Sequence, residues 1–195
     1  MPYYPTIASE LEEGNLIMIS LIERAAAFAA HAHRDQKRQW IDKPYFSHVE
    51  EVAVLCKQFH LSEDVQAAAY LHDVIEDCGV KYADLEKEFG EAVARLVLEV
   101  SDVSNKEDGN RFVRKSIIDL QYLRGASVEG QSLKCCDLIS NTSEIVELNP
   151  EFAKRYLPEK RLLLENALTN ARYPVWKAAY ASLVKAEKKL EALNV

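Results

Sequence analysis

Apolar residues recur along this chain at intervals of three and four almost throughout, the spacing that gathers them on one face of a helix. A first run over residues 16–38 places Leu21, Ala25, Phe28, Ala29 and Ala32 together and ends in basic Arg34, Lys37 and Arg38. Trp40–Pro44 reads as a connector, because the residue before a proline is pushed out of helical geometry. A second helix over residues 47–60 would bury Val49, Val52, Ala53, Cys56 and Phe59. Ser62 can cap a third, which runs through Val65–Ala69 as far as Asp77, with Glu63 and Asp64 favourably placed in its first turn. Cys78–Val80 breaks it; a short helix to Phe89 follows, closed by Gly90, and then one over residues 91–100. Ser104–Asn110 has loop chemistry and is expected to be a surface loop, or a segment that closes over a ligand. Helices over 111–123 and 132–145 follow, the second after a break at Gly125–Gly130. Asn149–Pro150 reads as a turn, with Pro158 and Pro174 opening the last two helices. No strand pattern, repeat or low-complexity tract interrupts this. The expectation is an all-α chain, 1–195, in one domain.

Within the third helix one stretch departs from simple amphipathicity. Tyr70-Leu71-His72-Asp73-Val74-Ile75-Glu76-Asp77 packs one imidazole and three carboxylates into six positions. On a continuous helix His72 and Glu76 would form one ridge, and Asp73 and Asp77 the ridge beside it. Beside a core, such a cluster costs several kcal/mol per unpaired ion, on the order expected for buried charge, unless something cationic neutralises it. A bound metal ion accounts for it; a solvated acidic helix end is the plain alternative.

Composition narrows the setting. The chain has 195 residues, 48% of them hydrophobic, enough for one sizeable core. No apolar run approaches a membrane span and the N-terminal residues lack the regions of a secretory signal, so the cytoplasm is the expected location, with no membrane partner. Cys56, Cys78, Cys135 and Cys136 show no CxxC spacing and read as reduced, mostly buried thiols without structural zinc. The formal net charge of −7 argues against a nucleic-acid groove, though not against a small anion held by a metal and a few local cations.

Other chemistry-bearing residues lie apart in sequence. His48 follows Pro44-Tyr45-Phe46-Ser47 at a helix start and can face inward, whereas His60 reads as a surface histidine at a helix end. His31 and His33, two apart on a helix, diverge, so at most one can join His48. Asp137 and Asn141 share a face in apolar surroundings, and Asp137 could simply pair with Lys134, three positions earlier. Together His48, His72, Asp73 and Asp137 offer two nitrogens and two carboxylates. That set suits Mn²⁺, Fe²⁺ or Zn²⁺ with open positions, and Glu76 and Asp77 are placed to handle protons.

The order His48, His72-Asp73, Asp137 resembles the HD-domain metal phosphohydrolases. More narrowly it is similar to the RelA/SpoT hydrolase domain and the small Mesh1-type hydrolases of guanosine 3′,5′-bis(diphosphate). The likeness rests on residues 30–38, Pro44–His48, Ala68–Asp77, Phe89–Val93 and Lys134–Asn141, and covers about residues 25–145, with helices over 150–195 packing on that core. It implies a helical HD-type bundle and one Mn²⁺ held by His48, His72, Asp73 and Asp137. It further implies that Glu76 and Asp77 form the catalytic pair releasing pyrophosphate and GDP or GTP. Lys37, Arg38, Lys134 and Asn141 fall where the family places groups that face the substrate or support the site, and the expected partner is a small phosphorylated nucleotide. Without room for a synthetase domain, the chain is expected only to degrade. His31 and Ala32 stand where small members carry Arg-Lys, and Val49 where proline is usual after the histidine. These changes leave open an HD phosphohydrolase, a nucleotidase or phosphatase, for another phosphorylated nucleotide. A non-catalytic helical module that binds a nucleotide or a protein is the reading from a different class.

Overall fold

The computed structural model describes residues 19–193, and the segment before Ile19, including the expected helix start near Leu16, lies outside the described residues. α1 (Leu21–Ala32) starts at Ser20, whose hydroxyl accepts from the Glu23 amide while Glu23 answers at the Ser20 amide, a reciprocal cap. It ends at Ala32, earlier than its periodicity suggests, so Arg34, Lys37 and Arg38 belong to a connector folded back by an antiparallel bridge between Lys37 and Pro44. α2 (Phe46–Gln58) and α3 (Glu63–Leu71) follow, and Ser62 caps α3 through the Val65 amide as expected.

α3 is the hub. α1, α2, α6 (Glu91–Val100) and α9 (Val128–Ser143) all pack on it. Its Ala67-Ala68-Ala69 are wholly buried, and this small-residue run lets neighbours approach from every side, as expected of a helix enclosed all round. The expected single helix over the central stretch is broken: α3 stops at Leu71 and α4 (Val74–Cys78) restarts with Asp73 as its cap residue, the Asp77 amide donating to the Asp73 carbonyl at 2.9 Å. Gly79 ends α4 in the left-handed conformation (φ 68°).

α5 (Tyr82–Phe89) leads into α6, and Ser104–Asn110 holds a 3₁₀ turn, Lys106–Asp108, capped by Asn105. α7 (Arg111–Val113) and α8 (Asp119–Arg124) are joined by a π-helical segment, Arg114–Ile118. α9 begins at Val128, inside the expected break. Its Gly130 accommodates Glu99, whose carboxylate caps Ser127 and would stand 2.4 Å from an added Cβ. After α10 (Ile145–Leu148), α11 (Pro150–Asn166) starts eight residues before the expected Pro158. Asn149 is its cap and Pro150 its first residue, so Asn-Pro is a helix start and Pro158 sits inside the helix on an exposed face. α12 (Tyr173–Leu193) packs on α9 and α11. The described residues hold no strand.

Candidate metal centre

The break between α3 and α4 makes the centre possible. Neighbours on an unbroken helix point roughly 100° apart, which would leave His72 and Asp73 on separate ridges. With the turn between them, His72 Nε2 stands 3.0 Å from Asp73 Oδ2. α2 brings His48, whose Nε2 lies 3.7 Å from the same oxygen, and the ligand atoms of these three residues all lie within 4.8 Å of one another. Asp137, on α9, closes the ring with Oδ1 3.2 Å from His48 Nε2 and 3.7 Å from His72 Nε2.

Hydrogen bonds behind the rings define what they offer. His72 Nδ1 donates to the Ala69 carbonyl at 2.8 Å, so a neutral ring keeps its proton there and turns its Nε2 lone pair to the centre. Without a cation, Asp73 and Asp137 outweigh burial and hold the ring's pKa well above its ordinary value. Although close to Asp73, that buried Nε2 has no hydrogen-bond partner. His48 Nδ1 meets Ser140 Oγ at 3.0 Å. Two imidazole Nε2 atoms and two carboxylates therefore converge on one buried point, an arrangement that calls for positive charge there, a proton on a ring or a bound cation in its place. The donor set fits a divalent ion, for which His48, His72, Asp73 and Asp137 could serve as ligands.

Local electrostatics hold both carboxyls ionised. Burial alone would raise Asp137, but Lys134 (Nζ to Oδ2, 3.1 Å) and the two imidazoles outweigh it and keep it well below the usual range. Asp73 is likewise lowered, burial being overcome chiefly by His72. Lys134 stays protonated because Asp137, Asp102 and Glu76 more than offset its desolvation.

Glu76 and Asp77 are carried by α4, one turn from Asp73. Part of Glu76 is open to solvent, yet flanking protein pushes its carboxyl up to about 7, mainly by desolvation with help from Asp102 and Asp73 and against Lys134. It accepts from the Asp102 amide at 2.6 Å. Asp77 Oδ2 accepts from Gln36 Nε2 at 2.7 Å, and Gln36 Oε1 meets His33 Nδ1 at 2.7 Å. Neither His31 nor His33 joins His48 at the centre: His33 is buried against Tyr45, and His31 is exposed.

A cavity of about 220 Å³ adjoins the centre, with Tyr45, His48, Arg38, Asn141, Trp40 and Tyr156 in its wall. Asn141 donates to Asp137 at 2.5 Å. Arg38 pairs with Glu51 at 2.8 Å, whereas Lys37 is exposed, pairs with Asp42 and is absent from the cavity wall. Sequence reasoning did not single out Tyr45, Gln36, Glu51 or Ser140. Tyr45 donates to Asp73 at 2.5 Å, and burial keeps its phenol protonated. The available hint was that Gln36, Tyr45 and Ser140 lie within the stretches 30–38, Pro44–His48 and Lys134–Asn141 that carry the resemblance; Glu51 lies outside them.

Residues 25–120 match the model of the HD domain family. Guanosine-3′,5′-bis(diphosphate) 3′-pyrophosphohydrolase MESH1 of Xenopus tropicalis is 30% identical over 135 residues, covering 68% of this chain and 73% of that protein. GTP pyrophosphokinase rsh of Brucella melitensis is 41% identical over 105 residues, 54% of this chain; the match spans only 13% of that longer protein. A solved structure described as a metazoan ortholog of SpoT that hydrolyses ppGpp superposes with a TM-score of 0.75 at 25% identity, over 85% of this chain and 95% of its own.

Proposed function

Because this chain belongs to the HD-domain phosphohydrolases, in the branch of the Mesh1-type hydrolases, we propose that it removes the 3′-pyrophosphate of guanosine 3′,5′-bis(diphosphate). The products are pyrophosphate and GDP, or GTP from the pentaphosphate. The observation that carries this reading is the convergence of His48 and His72 Nε2 on Asp73 and Asp137 in one buried cluster. Mn²⁺ is the ion proposed there, with Fe²⁺ or Zn²⁺ compatible with the same donors. Such an ion supplies Lewis acidity toward a phosphoryl oxygen and lowers the pKa of water.

The protein does the rest. Glu76 and Asp77 accept and return the proton of the attacking water, Glu76 held by the Asp102 amide and Asp77 by Gln36. Lys134 and Asn141 fix Asp137, and Arg38 presents a cation to the cavity in which the nucleotide lies. Lys37 meets only the outer part of a substrate, since it stands at the surface beside Asp42. A single 1–195 domain, a cytoplasmic location and a small nucleotide as partner complete the reading. No helix among the described residues is long and apolar enough to cross a membrane.

The test is product identity. Guanosine 3′,5′-bis(diphosphate) is offered beside a panel of 2′-, 3′- and 5′-phosphorylated nucleotides. Release of pyrophosphate from the first, well above any panel member, is expected; preferred turnover of a panel compound would overturn the substrate while keeping the hydrolase.

A further inference from the structure

The two imidazoles of the centre are held in different ways. His72 is fixed by a backbone carbonyl of its own chain segment. His48 depends on a side chain from another helix: Ser140, three residues after Asp137 on α9. Ser140 Oγ in turn donates to Glu51 Oε2 at 2.8 Å, and the other oxygen of Glu51 accepts from Arg38 at 2.8 Å. Arg38 itself is tied down, its amide donating to the Lys43 carbonyl at 2.9 Å across the folded connector.

The direction of this chain of bonds is forced from its far end. A carboxylate only accepts, so the single proton of the Ser140 hydroxyl goes to Glu51. The hydroxyl then presents a lone pair to His48, which must carry its proton on Nδ1 and leave Nε2 bare. We propose that Ser140 and Glu51 are positioning residues for a divalent cation, setting the tautomer and orientation of His48 through the chain Arg38–Glu51–Ser140–His48. The proposal rests on the reading of His48 as a metal ligand. It goes beyond that reading by assigning the metal affinity partly to residues that never touch the ion.

The energetic logic follows from burial. His48 is 3% exposed and Ser140 5% exposed, so loss of the hydroxyl strands the Nδ1 proton in a dry site. The ring then either leaves that proton unpaired or moves it to Nε2, where it blocks coordination. Both outcomes weaken binding of the ion. α2 and α9 carry His48 and Asp137 respectively, so the same bond also keeps those two residues in register across the helix interface.

The experiment is Mn²⁺ binding to the metal-stripped full chain, read from the electron paramagnetic resonance signal of free Mn²⁺, with thermal melting of each metal-free variant alongside. Ser140→Ala should weaken binding about 10- to 100-fold, the range typical for removal of an outer-shell partner. Ser140→Thr keeps the hydroxyl and should restore affinity, and Glu51→Gln, which keeps an acceptor but loses the charge, should fall between. Ser143→Ala is the local control: the Ser143 hydroxyl donates to the Ser140 carbonyl at 2.8 Å rather than to its side chain, and its loss should leave affinity unchanged. Wild-type affinity in Ser140→Ala, or an equal loss in Ser143→Ala, overturns the proposal. If Ser140→Ala does not fold, the exposed Glu51→Gln decides, and unchanged affinity there refutes the relay. Asp73→Ala separates the two levels. If it binds Mn²⁺ like wild type, the metal-site reading itself fails; if it loses the ion while Ser140→Ala keeps it, only the relay does.

Discussion

Each ionisable residue of the centre is stabilised by a neighbour that makes no sense without it. Lys134 is buried beside Asp137, to which it pairs, and the Tyr45 hydroxyl donates a hydrogen bond to Asp73. Asp73→Ala or Asp137→Ala should therefore abolish stoichiometric metal binding together with turnover, checked by metal analysis and kcat. Glu76→Gln should keep the metal and slow the chemistry by roughly 10²- to 10⁴-fold, the usual contribution of a positioned proton-transfer group. Glu76 also has a signature in the metal-free protein. Its folded pKa of about 7 lies above its ordinary value of 4.5, so its contribution to stability is full below 4.5 and is lost as pH rises through 7. The melting temperature of metal-free Glu76→Gln should accordingly gain on wild type between pH 5 and pH 8; a constant difference would contradict the raised pKa. The four residues that meet here, His48, His72, Asp73 and Asp137, were legible in the sequence by type and order. Their supports were not, because Gln36–Asp77, Tyr45–Asp73 and Ser140–His48 join residues 41, 28 and 92 positions apart, and no local pattern encodes such pairs.

Among the elements, the junction of α3 and α4 matters most. Val65–Ala69 is made of good helix formers and no Gly or Pro interrupts the chain before Gly79, so the local pattern predicts one continuous helix, with His72 and Asp73 on neighbouring ridges. The turn arises from tertiary demand: α3 is enclosed by four helices, and Asp73 is drawn back toward His72, His48 and Tyr45. α4 is only five residues long and is closed by Gly79 in the left-handed region. Gly79→Ala meets no neighbour but strains that backbone, and should cost about 1–2 kcal/mol in denaturant unfolding with little change in kcat. A loss of activity larger than the loss of stability would mean that α4 must move during turnover. The misplaced start of α11 has a simpler origin. Both Asn149-Pro150 and Pro158 carry helix-start chemistry, and sequence cannot tell which proline lies at the first position and which is tolerated within.

Over the whole molecule, the C-terminal helices brace the site without entering its donor set. α12 packs along α9, with Thr142 bonded to Ser182 at 2.8 Å, and α11 contributes Tyr156 and Phe152 to the cavity wall. α9, which carries Asp137, is thereby held between α2 and α3 on one side and α12 on the other. The formal net charge of −7 says little about this region, where Arg38, Arg111 and Arg155 gather near Phe152 and the cavity. Helical class followed from periodicity, and Ala25, Ala29, Val49, Val52, Ala53, Cys56, Val93, Leu96, Val97 and Val100 are buried where it placed them, whereas Ala153, Tyr156 and Leu157 are buried ahead of Pro158, the expected helix start. Cavity shape did not, because it depends on how α9, α11 and the Arg38–Trp40 connector meet. The measurement that tests the central claim most directly is a Mn²⁺ titration of metal-stripped protein with guanosine 3′,5′-bis(diphosphate) present, following pyrophosphate release and bound metal together. Release that rises in proportion to occupancy and saturates at one ion per chain is the predicted result. Full turnover without metal, or saturation with Mn²⁺ and no release of pyrophosphate, would contradict it.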